Sequence, residues 1–360
     1  MNLLFKIILI SFCFTSLFSK EFKTQTLATL SSIPWGMTFI SPSQMLISQK
    51  DGSISLLNIQ TKKLISIENP IKSFQKGQGG FLDIKVSPNF KEDSWIYFTY
   101  SKKQKNEIST TLARGKFKDN SFSKIEDLLV SKNRSNTGFH FGSRIAFDKQ
   151  GHVFFSIGDR GIRNNSQDLN THAGSIVRLN LDGSIPKDNP FVSNPKVLDE
   201  IYSYGHRNPQ GLYYDKQREE LFSSEHGPRG GDEINLISKS ANYGWPIITY
   251  GKEYYGPISI GEGTHKKGLI QPLKVYIPSI APSSLLVYSG KLFKEYKGKL
   301  FLGALKLRHL NVITLDKNQK AIKEERLLKD LDERIRNVIE DQEGYIYISI
   351  DSGKIIKLSL

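Results

Sequence analysis

The stretch richest in residues that could do chemistry is 224–235, which combines glycine and proline with the adjacent acids Asp232 and Glu233. Glycine and proline favour an irregular backbone whose carbonyl oxygens can turn inward. Calcium takes about six to eight oxygen ligands and mixes carboxylates with backbone carbonyls. The stretch therefore suits a calcium site, and the alternative is a turn that carries two solvated acids.

Three further segments place polar side chains among glycines. Residues 204–211 put Arg207 beside Asn208, where a guanidinium fork suits a carboxylate or quinone oxygen, although an ordinary loop arginine is the alternative. Residues 77–80 put Gln78 among glycines that let a ligand approach the backbone, and they lack the ending of a phosphate loop. Residues 138–144 contain His140, which is either a general base or a structural histidine.

Cations recur near the C-terminus. Arg334 and Arg336 are two positions apart, so on a strand both guanidinium groups lie on one face. A solvated edge strand is the alternative. Lys306 ends the apolar run 303–305, where a charge is unexpected.

The elements that must position these residues are short β-rich runs between turns of Asp, Asn or Gly, which indicate an all-β sandwich, barrel or propeller. Residues 146–154 and 339–347 share the phrase apolar-x-Asp-x-x-Gly-x-apolar-aromatic, and 213–222 carry a looser copy. Such self-similarity is typical of propeller blades of about 40–50 residues. We predict one domain over residues 20–360, a six-bladed β-propeller. Residues 22–30 are expected to pair with the last blade and remove an exposed edge.

Composition and the N-terminal segment indicate which partners and which cellular location to expect. The net charge is +14, but the lysines are scattered and no nucleic-acid motif is present, so we expect no nucleic-acid partner. Lys6 precedes an apolar run at 7–18, which is shorter than the about 20 residues of a membrane span. This predicts a signal peptide over residues 1–19, a periplasmic location and no lasting membrane association, and an uncleaved anchor is the alternative. Cys13, the single cysteine, lies in this segment, and a mature chain without thiols suits an oxidising compartment.

Taken in order, several segments resemble the aldose sugar dehydrogenases that depend on pyrroloquinoline quinone (PQQ), relatives of soluble quinoprotein glucose dehydrogenase. The matching segments are 77–84, 140–144, 205–212, 224–236, 242–246, 282–284 and 334–338. The resemblance runs from about residue 30 to the C-terminus. It implies a six-bladed propeller with PQQ and calcium over its central channel. It also implies oxidation of an aldose to the lactone by hydride transfer to the quinone.

The resemblance also implies individual roles. His140 would be the catalytic base. The implied PQQ contacts are Gln78, Arg207, Asn208, Tyr254, Lys306, Arg334 and Arg336. The carbonyls of Gly227 and Pro228 would bind the calcium that touches the quinone, and Glu233 with the backbone of Tyr243 would bind a structural calcium.

One departure from the family concerns specificity. Phe139 precedes His140 at a place where the glucose dehydrogenases of the family have an acidic residue. This argues against tight specificity for glucose and leaves the sugar and the electron acceptor unassigned. We expect a monomer, because the loops that pair the family's dimers are hard to find.

Two other functional classes stay open. One is a calcium-dependent propeller lactonase or hydrolase, which would not need the set of arginines and lysines. The other is a non-catalytic sugar-binding propeller in which the site residues are relics.

Overall fold

The computed structural model describes residues 22–133 and 135–360, which form six four-stranded antiparallel sheets. This arrangement confirms the prediction of a six-bladed β-propeller. The proposed signal peptide, residues 1–19, lies outside the described residues. None of the helices described is long and apolar enough to span a bilayer.

The strands follow one another blade by blade, from the innermost strand outwards. Strand β1 is Lys23–Thr29, and blade 1 contains β2 (Pro34–Ser41), β3 (Gln44–Gln49), β4 (Ile54–Asn58) and β5 (Leu64–Ile67). Blade 2 contains β6 (Phe81–Val86), β7 (Trp95–Gln104), β8 (Glu107–Lys118) and β9 (Ser121–Val130), with the short helix α1 (Phe90–Asp93) between β6 and β7. Blade 3 contains β10 (Ile145–Phe147), β11 (His152–Ile157), β12 (Ser175–Asn180) and β13 (Ile201–Tyr204).

The second half of the ring repeats this order. Blade 4 contains β14 (Pro209–Asp215), β15 (Glu220–Glu225), β16 (Asp232–Ile237) and β17 (Lys274–Tyr276). Blade 5 contains β18 (Pro282–Val287), β19 (Leu300–Ala304), β20 (His309–Leu315) and β21 (Ala321–Leu327). Blade 6 contains β22 (Ile335–Glu340), β23 (Ile346–Ile350) and β24 (Lys354–Ser359), and β1 is its outermost strand. Single 3₁₀ turns occur at Arg163–Gln167, Lys294–Tyr296 and Lys329–Leu331.

The ring is closed by the N-terminal strand. β1 pairs antiparallel with β24, with Lys23 opposite Ser359 and Thr29 opposite Lys354. The predicted pairing of residues 22–30 with the last blade is therefore confirmed. Closure matters because an unpaired β24 would present a free edge to other chains.

The repeated sequence phrase has a structural cause. Its copies form the hairpins between the innermost and second strands of blades 3 and 6. Asp148 Oδ1 accepts the backbone N–H groups of Gln150 and His152, both at 2.9 Å. Asp341 Oδ1 accepts those of Glu343 and Tyr345 in the same way, both at 2.9 Å. The aspartate thus fixes a tight turn by satisfying backbone donors that the turn leaves open.

A buried arginine closes the centre of the ring. Arg144 Nη1 lies 3.0 Å from Asp83 Oδ1, and its Nε donates to the Gln210 carbonyl at 3.1 Å. Its guanidinium lies 4.1 Å from the centre of the Trp35 ring. The innermost strands all begin on one side of this plug and end on the other. We call these sides the site face and the far face.

Candidate active site

The loops that lead into the innermost strands surround a cavity of about 250 Å³ on the site face. Its lining comes from all parts of the ring and includes Trp35, Lys50, Gln78, Phe141, Asn208, His226, Leu305, Arg334, Arg336 and Asp351. Residues from distant parts of the sequence meet here because five blades contribute residues at the start of their inner strand, and blade 5 contributes Leu305. The cavity is the natural place for a cofactor of moderate size.

A histidine–aspartate pair lies next to this cavity. His140 Nδ1 lies 2.6 Å from Asp159 Oδ1, and the two side chains are 15% and 1% exposed. Asp159 also accepts the Gly161 N–H at 2.7 Å and the indole N–H of Trp245 at 2.8 Å. The carboxylate is thus saturated with donors, which fixes the imidazole with its proton on Nδ1 and its Nε2 free to accept a proton.

The pKa values of this pair follow from burial and mutual attraction. Burial lowers the pKa of His140, and its hydrogen bond to Asp159 opposes this effect without cancelling it. Burial alone would raise the pKa of Asp159, but the hydrogen bond to His140 and the charge of Arg207 hold it below the usual value. At neutral pH the pair therefore consists of a neutral imidazole and a carboxylate, the state that a general base requires.

The loop that carries His140 is anchored from below by Arg160. This fully buried guanidinium lies 3.4 Å from the centre of the Phe141 ring. It donates to the carbonyls of Thr137 (2.8 Å) and Phe139, and burial lowers its pKa to about 9. These bonds help to hold His140 in the left-handed backbone region, at a φ of 54°. Such strain in a non-glycine residue persists only when its surroundings enforce it.

Cations outnumber acids in the cavity. Arg334 Nε donates to Asp351 Oδ2 at 2.7 Å, and Arg336 binds both oxygens of the same carboxylate at 2.8 Å. Lys50 Nζ donates to the Gly77 carbonyl at 2.7 Å. Burial lowers the pKa of Lys50, and the charge of Arg336 adds to this effect. Three cations thus share one carboxylate, which favours an anionic ligand.

The other predicted cofactor residues differ in how closely they approach the cavity. Gln78 Oε1 accepts the backbone N–H of His140 at 2.8 Å, and Asn208 Oδ1 accepts that of Gly142 at 3.2 Å. Both side chains therefore help to shape the loop around the base. Tyr254 is 60% exposed, with its hydroxyl 3.5 Å from Arg207 Nη2. Lys306 is exposed and follows Leu305, which lines the cavity.

The guanidinium of Arg207 contacts backbone carbonyls of the loop that contains Gly227. Arg207 is 8% exposed, and its Nη1 donates to the carbonyls of His226 at 3.0 Å and Gly227 at 2.8 Å. The loop therefore directs carbonyl oxygens at a positive charge beside the cavity. The Pro228 carbonyl points elsewhere and accepts the Ser279 hydroxyl at 3.3 Å.

A second, smaller site lies behind this loop. A void of about 10 Å³ is lined by Glu225, Glu233, Gly227, Tyr243 and Thr249 among others. This is about the space that one water-sized sphere fills. Asn235 Nδ2 donates both to Glu225 Oε1 at 3.0 Å and to Glu233 Oε2 at 3.1 Å. Burial and the nearby Glu225 carboxylate raise the pKa of Glu233 to about 8.

Two carboxylates that share one amide donor fit a cation between them, because a positive charge would offset their repulsion. The Tyr243 hydroxyl donates to the Leu236 carbonyl at 2.5 Å and accepts the Ser238 N–H at 2.9 Å. The residue therefore has only its backbone oxygen for a metal. The part of the chain that the structure describes contains no cluster of three or more His, Cys, Asp or Glu side chains that could hold a metal ion. A metal here would need carbonyl ligands as well as carboxylates.

Five residues that the structure brings into these sites were not predicted from the sequence: Lys50, Asp159, Glu225, His226 and Asp351. Asp159 lies in a Gly-Asp-Arg-Gly phrase directly after β11, and such an acid next to glycines was a usable signal. His226 Nε2 lies 2.9 Å from the Pro282 carbonyl, and burial lowers its pKa to about 3, so it is neutral. The partners of the others become visible only in the folded ring.

Comparisons with known proteins agree with this geometry. The family model described as glucose/sorbosone dehydrogenase matches residues 31–357. The aldose sugar dehydrogenase YliI of Escherichia coli is 36% identical over 336 residues, which cover 91% of this chain and 90% of the relative. Quinoprotein glucose dehydrogenase B of Acinetobacter calcoaceticus is 29% identical over 358 residues, covering 77% of this chain and 74% of the relative.

Solved structures show the same similarity. The apo form of the soluble aldose sugar dehydrogenase of Escherichia coli has a TM-score of 0.90 and 33% identity, covering 94% of this chain and 99% of that one. The PQQ-bound aldose sugar dehydrogenase of Streptomyces coelicolor shares the fold, with a TM-score of 0.78, 23% identity and coverage of 94% and 98%. Because the family model covers nearly the whole propeller, the chain belongs to the glucose/sorbosone dehydrogenase family of oxidoreductases.

Proposed function

We propose that this protein oxidises an aldose at its anomeric carbon to the lactone, with PQQ as hydride acceptor and calcium as an essential ion. The observation that carries the proposal is the juxtaposition of a neutral histidine–aspartate pair with a cavity in which three cations share one carboxylate. Two relatives are named as an aldose sugar dehydrogenase and a quinoprotein glucose dehydrogenase, which supports the same chemistry.

The cavity residues fit PQQ, which is a tricarboxylate. Lys50, Arg334 and Arg336 would bind its carboxylates, with exposed Lys306 at the rim. Planar guanidinium groups suit this task because they form paired, charge-assisted hydrogen bonds. Gln78, Arg207, Asn208 and Tyr254 would supply the remaining polar contacts. When bound, PQQ supplies the carbon that accepts a hydride, and calcium polarises the adjacent carbonyl.

His140 performs the proton transfer in this proposal. Its Nδ1–H is held by Asp159 at 2.6 Å, so Nε2 takes the proton from the anomeric hydroxyl of the sugar. The hydride, together with the electron pair of the C–H bond, would pass to the bound cofactor, and the oxygen left behind would become the lactone carbonyl. Because the pKa of His140 lies below its usual value, the base stays neutral into mildly acidic solution.

Calcium is proposed at two places with different tasks. Glu233, Glu225 and the Tyr243 backbone would hold a structural ion, since these three residues line one small void. The carbonyls of Gly227 and Pro228 would bind the ion beside the cofactor only after leaving their present donors, Arg207 and Ser279. Both sites use hard oxygen ligands, which calcium prefers.

Reconstitution distinguishes the three functional classes. Apo-protein is mixed with PQQ and calcium, and reduction of an electron-accepting dye is followed with a panel of aldoses. A dehydrogenase requires both additions and consumes sugar together with dye. A lactonase hydrolyses lactones without PQQ, and a sugar-binding propeller turns over neither. Absence of PQQ binding in an absorbance titration would refute the proposal directly.

The cellular setting belongs to the proposal as well. We propose a periplasmic monomer that is exported by residues 1–19 and acts on a free sugar, with an electron acceptor that is still unassigned. Detection of a mature N-terminus near residue 20 in the periplasmic fraction tests the first part. Light scattering tests the second.

A further inference from the structure

A large cavity lies on the far face, away from the candidate active site. Its volume is about 710 Å³, and its walls come from the ends of β6, β10, β14 and β18. A neighbouring void of about 320 Å³ continues from it towards the centre of the ring, and both are lined by Lys85, Leu212, Tyr213 and Ser289. Known small-molecule sites occupy about 300–1,000 Å³, so the space is suitable for a ligand.

This far-face cavity is separate from the site that carries His140. Its lining residues have none in common with those of the active-site cavity. Arg144, which contacts Asp83 and Trp35, lies between the two cavities: it lines the inner void, whereas Trp35 lines the active-site cavity. A ligand on the far face would therefore not take the place of a cofactor on the site face.

The cavity carries unpaired positive charge. Lys85, Lys216 and Lys297 line it, and within residues 22–133 and 135–360 none of them has an acidic partner within ion-pair distance. Arg218 is neutralised, because its Nη1 lies 3.1 Å from Asp215 Oδ2. Lys85 is half-buried, and burial is the main reason that its pKa is lowered.

Three acids line the inner void, and each is already engaged. Asp83 binds Arg144 Nη1 at 3.0 Å and accepts the Ile145 N–H at 2.9 Å, and its charge also acts on Lys85. Glu340 accepts hydrogen bonds from the hydroxyl and the backbone N–H of Ser289, the latter at 3.0 Å. Asp341 Oδ2 accepts the Tyr347 hydroxyl at 2.9 Å. These carboxylates are therefore held by other groups rather than by Lys85.

A buried donor beside the inner void, Arg144 Nη2, lacks a hydrogen-bond acceptor in the part of the chain that the structure describes. Arg144 is 5% exposed, and its Nη2 has no hydrogen-bond acceptor among the described residues. Arg144 and Lys85 both line this void. A buried guanidinium N–H without an acceptor is unfavourable, and an anionic oxygen placed there would satisfy it.

The walls above these cations are apolar. Val86, Ile145, Leu212 and Val287 line the cavity, together with the Phe147 ring. Water is a poor occupant of such walls, whereas a hydrocarbon chain or ring is a good one. The cavity therefore combines a cationic floor with an apolar wall.

We propose that the far-face cavity is a second ligand site, which binds an organic carboxylate with its charged group near Lys85 and Arg144 and its apolar body against the wall. Lys216 and Lys297 at the rim attract the anion. Inorganic phosphate has the charge without the apolar body, and octan-1-ol has the apolar body without the charge. Comparison of these two compounds with octanoate distinguishes the contribution of the charge from that of the apolar body.

The test is calorimetric titration of octanoate into protein loaded with PQQ and calcium, so that the cations of the site face are occupied. Lys85→Met removes the charge but keeps an apolar stem of similar length. We expect octanoate affinity to fall at least about tenfold in this variant, since a charge-assisted bond is lost. Lys118→Met, which also lies at the far end of its blade but outside the cavity, is expected to bind like the wild type.

Sugar oxidation serves as the second readout and should be unchanged in Lys85→Met. Octan-1-ol and phosphate should each bind more weakly than octanoate. Three results would each overturn the proposal: no octanoate binding, equal affinity in wild type and Lys85→Met, or octanoate binding to PQQ-free protein that is lost once PQQ is loaded. If Lys85→Met fails to fold by circular dichroism, Lys216→Met at the exposed rim tests the same site, with a smaller expected loss.

Discussion

Replacement of Asp159 by asparagine tests the proposed catalytic pair, because it preserves size and removes one charge. Asp159 Oδ1 accepts from His140 and Gly161, and Oδ2 accepts from Trp245. An asparagine has one acceptor oxygen and one donor nitrogen. Its nitrogen would therefore face either the indole N–H of Trp245 or the Nδ1–H of His140. In either arrangement two N–H donors point at each other and one hydrogen bond is lost.

The size of the effect follows from these contacts. Loss of a charge-assisted hydrogen bond is worth about 1.5–3 kcal/mol, which corresponds to about 10- to 160-fold in rate. If the amide nitrogen faces His140, the imidazole turns to the tautomer with its proton on Nε2 and cannot accept a proton from the sugar. We therefore expect kcat to fall by about 10- to 10⁴-fold, from the loss of the charge alone up to a fully disabled general base.

The assay is dye-linked sugar oxidation as a function of pH, with PQQ affinity measured separately. Turnover of the wild type should fall as pH drops through the pKa of His140, below its usual value, because the protonated imidazole is not a base. The Asp159 carboxylate raises the pKa of His140, so Asp159→Asn should move this acidic limb to lower pH as well as lower kcat. PQQ affinity should stay unchanged. A variant with kcat within about threefold of wild type and an unmoved pH profile would refute the reasoning.

Three further predictions concern the base, the cations and the metal. His140→Ala should lower kcat by at least about 10²-fold while PQQ still binds, and retention of most turnover would remove His140 from this role. Arg336→Ala should weaken PQQ binding in an absorbance titration by about 1.5–3 kcal/mol, whereas Arg326→Ala on the outermost strand of blade 5 should not, and equal affinities would mean that Arg336 does not contact the cofactor. Chelation should lower both the melting temperature and the activity, with recovery by calcium and little by magnesium, which demands a smaller octahedral shell. Glu233→Gln should reduce the thermal response more than the chemistry, and unchanged melting after prolonged chelation would contradict the structural site.

The fold was predictable because its signals are local. Aspartate and glycine mark the same hairpin turn in blades 3 and 6, and the turn chemistry repeats wherever the backbone geometry repeats. Arg334 and Arg336 were likewise placed on one face from their spacing alone, and both donate to Asp351. Periodicity carries this information without any knowledge of tertiary contacts.

The missing site residues could not be chosen in that way. Asp351 lies in a turn whose sequence also suits an ordinary hairpin, and its two arginine partners are 15 and 17 positions away. Lys50 belongs to blade 1, yet its charge acts on Arg336 of blade 6. Such pairs form only because the ring brings the first and last blades together. The roles of Gly227, Pro228, Glu233 and Tyr243 likewise came from family resemblance rather than from spacing.

The closing strand has a consequence for the order of folding. β1 pairs with β24 over a separation of about 330 positions, and forming that contact first would carry a loop-closure entropy of about 5 kcal/mol. The other strand pairs within each blade join neighbours in the chain, so they form at far smaller entropic cost. The seam between β1 and β24 is therefore expected to form last and to open first. The first and last described residues, Phe22 and Leu360, flank this seam, which makes it the place where a transiently opened ring exposes an edge to proteases or to a second copy of the chain.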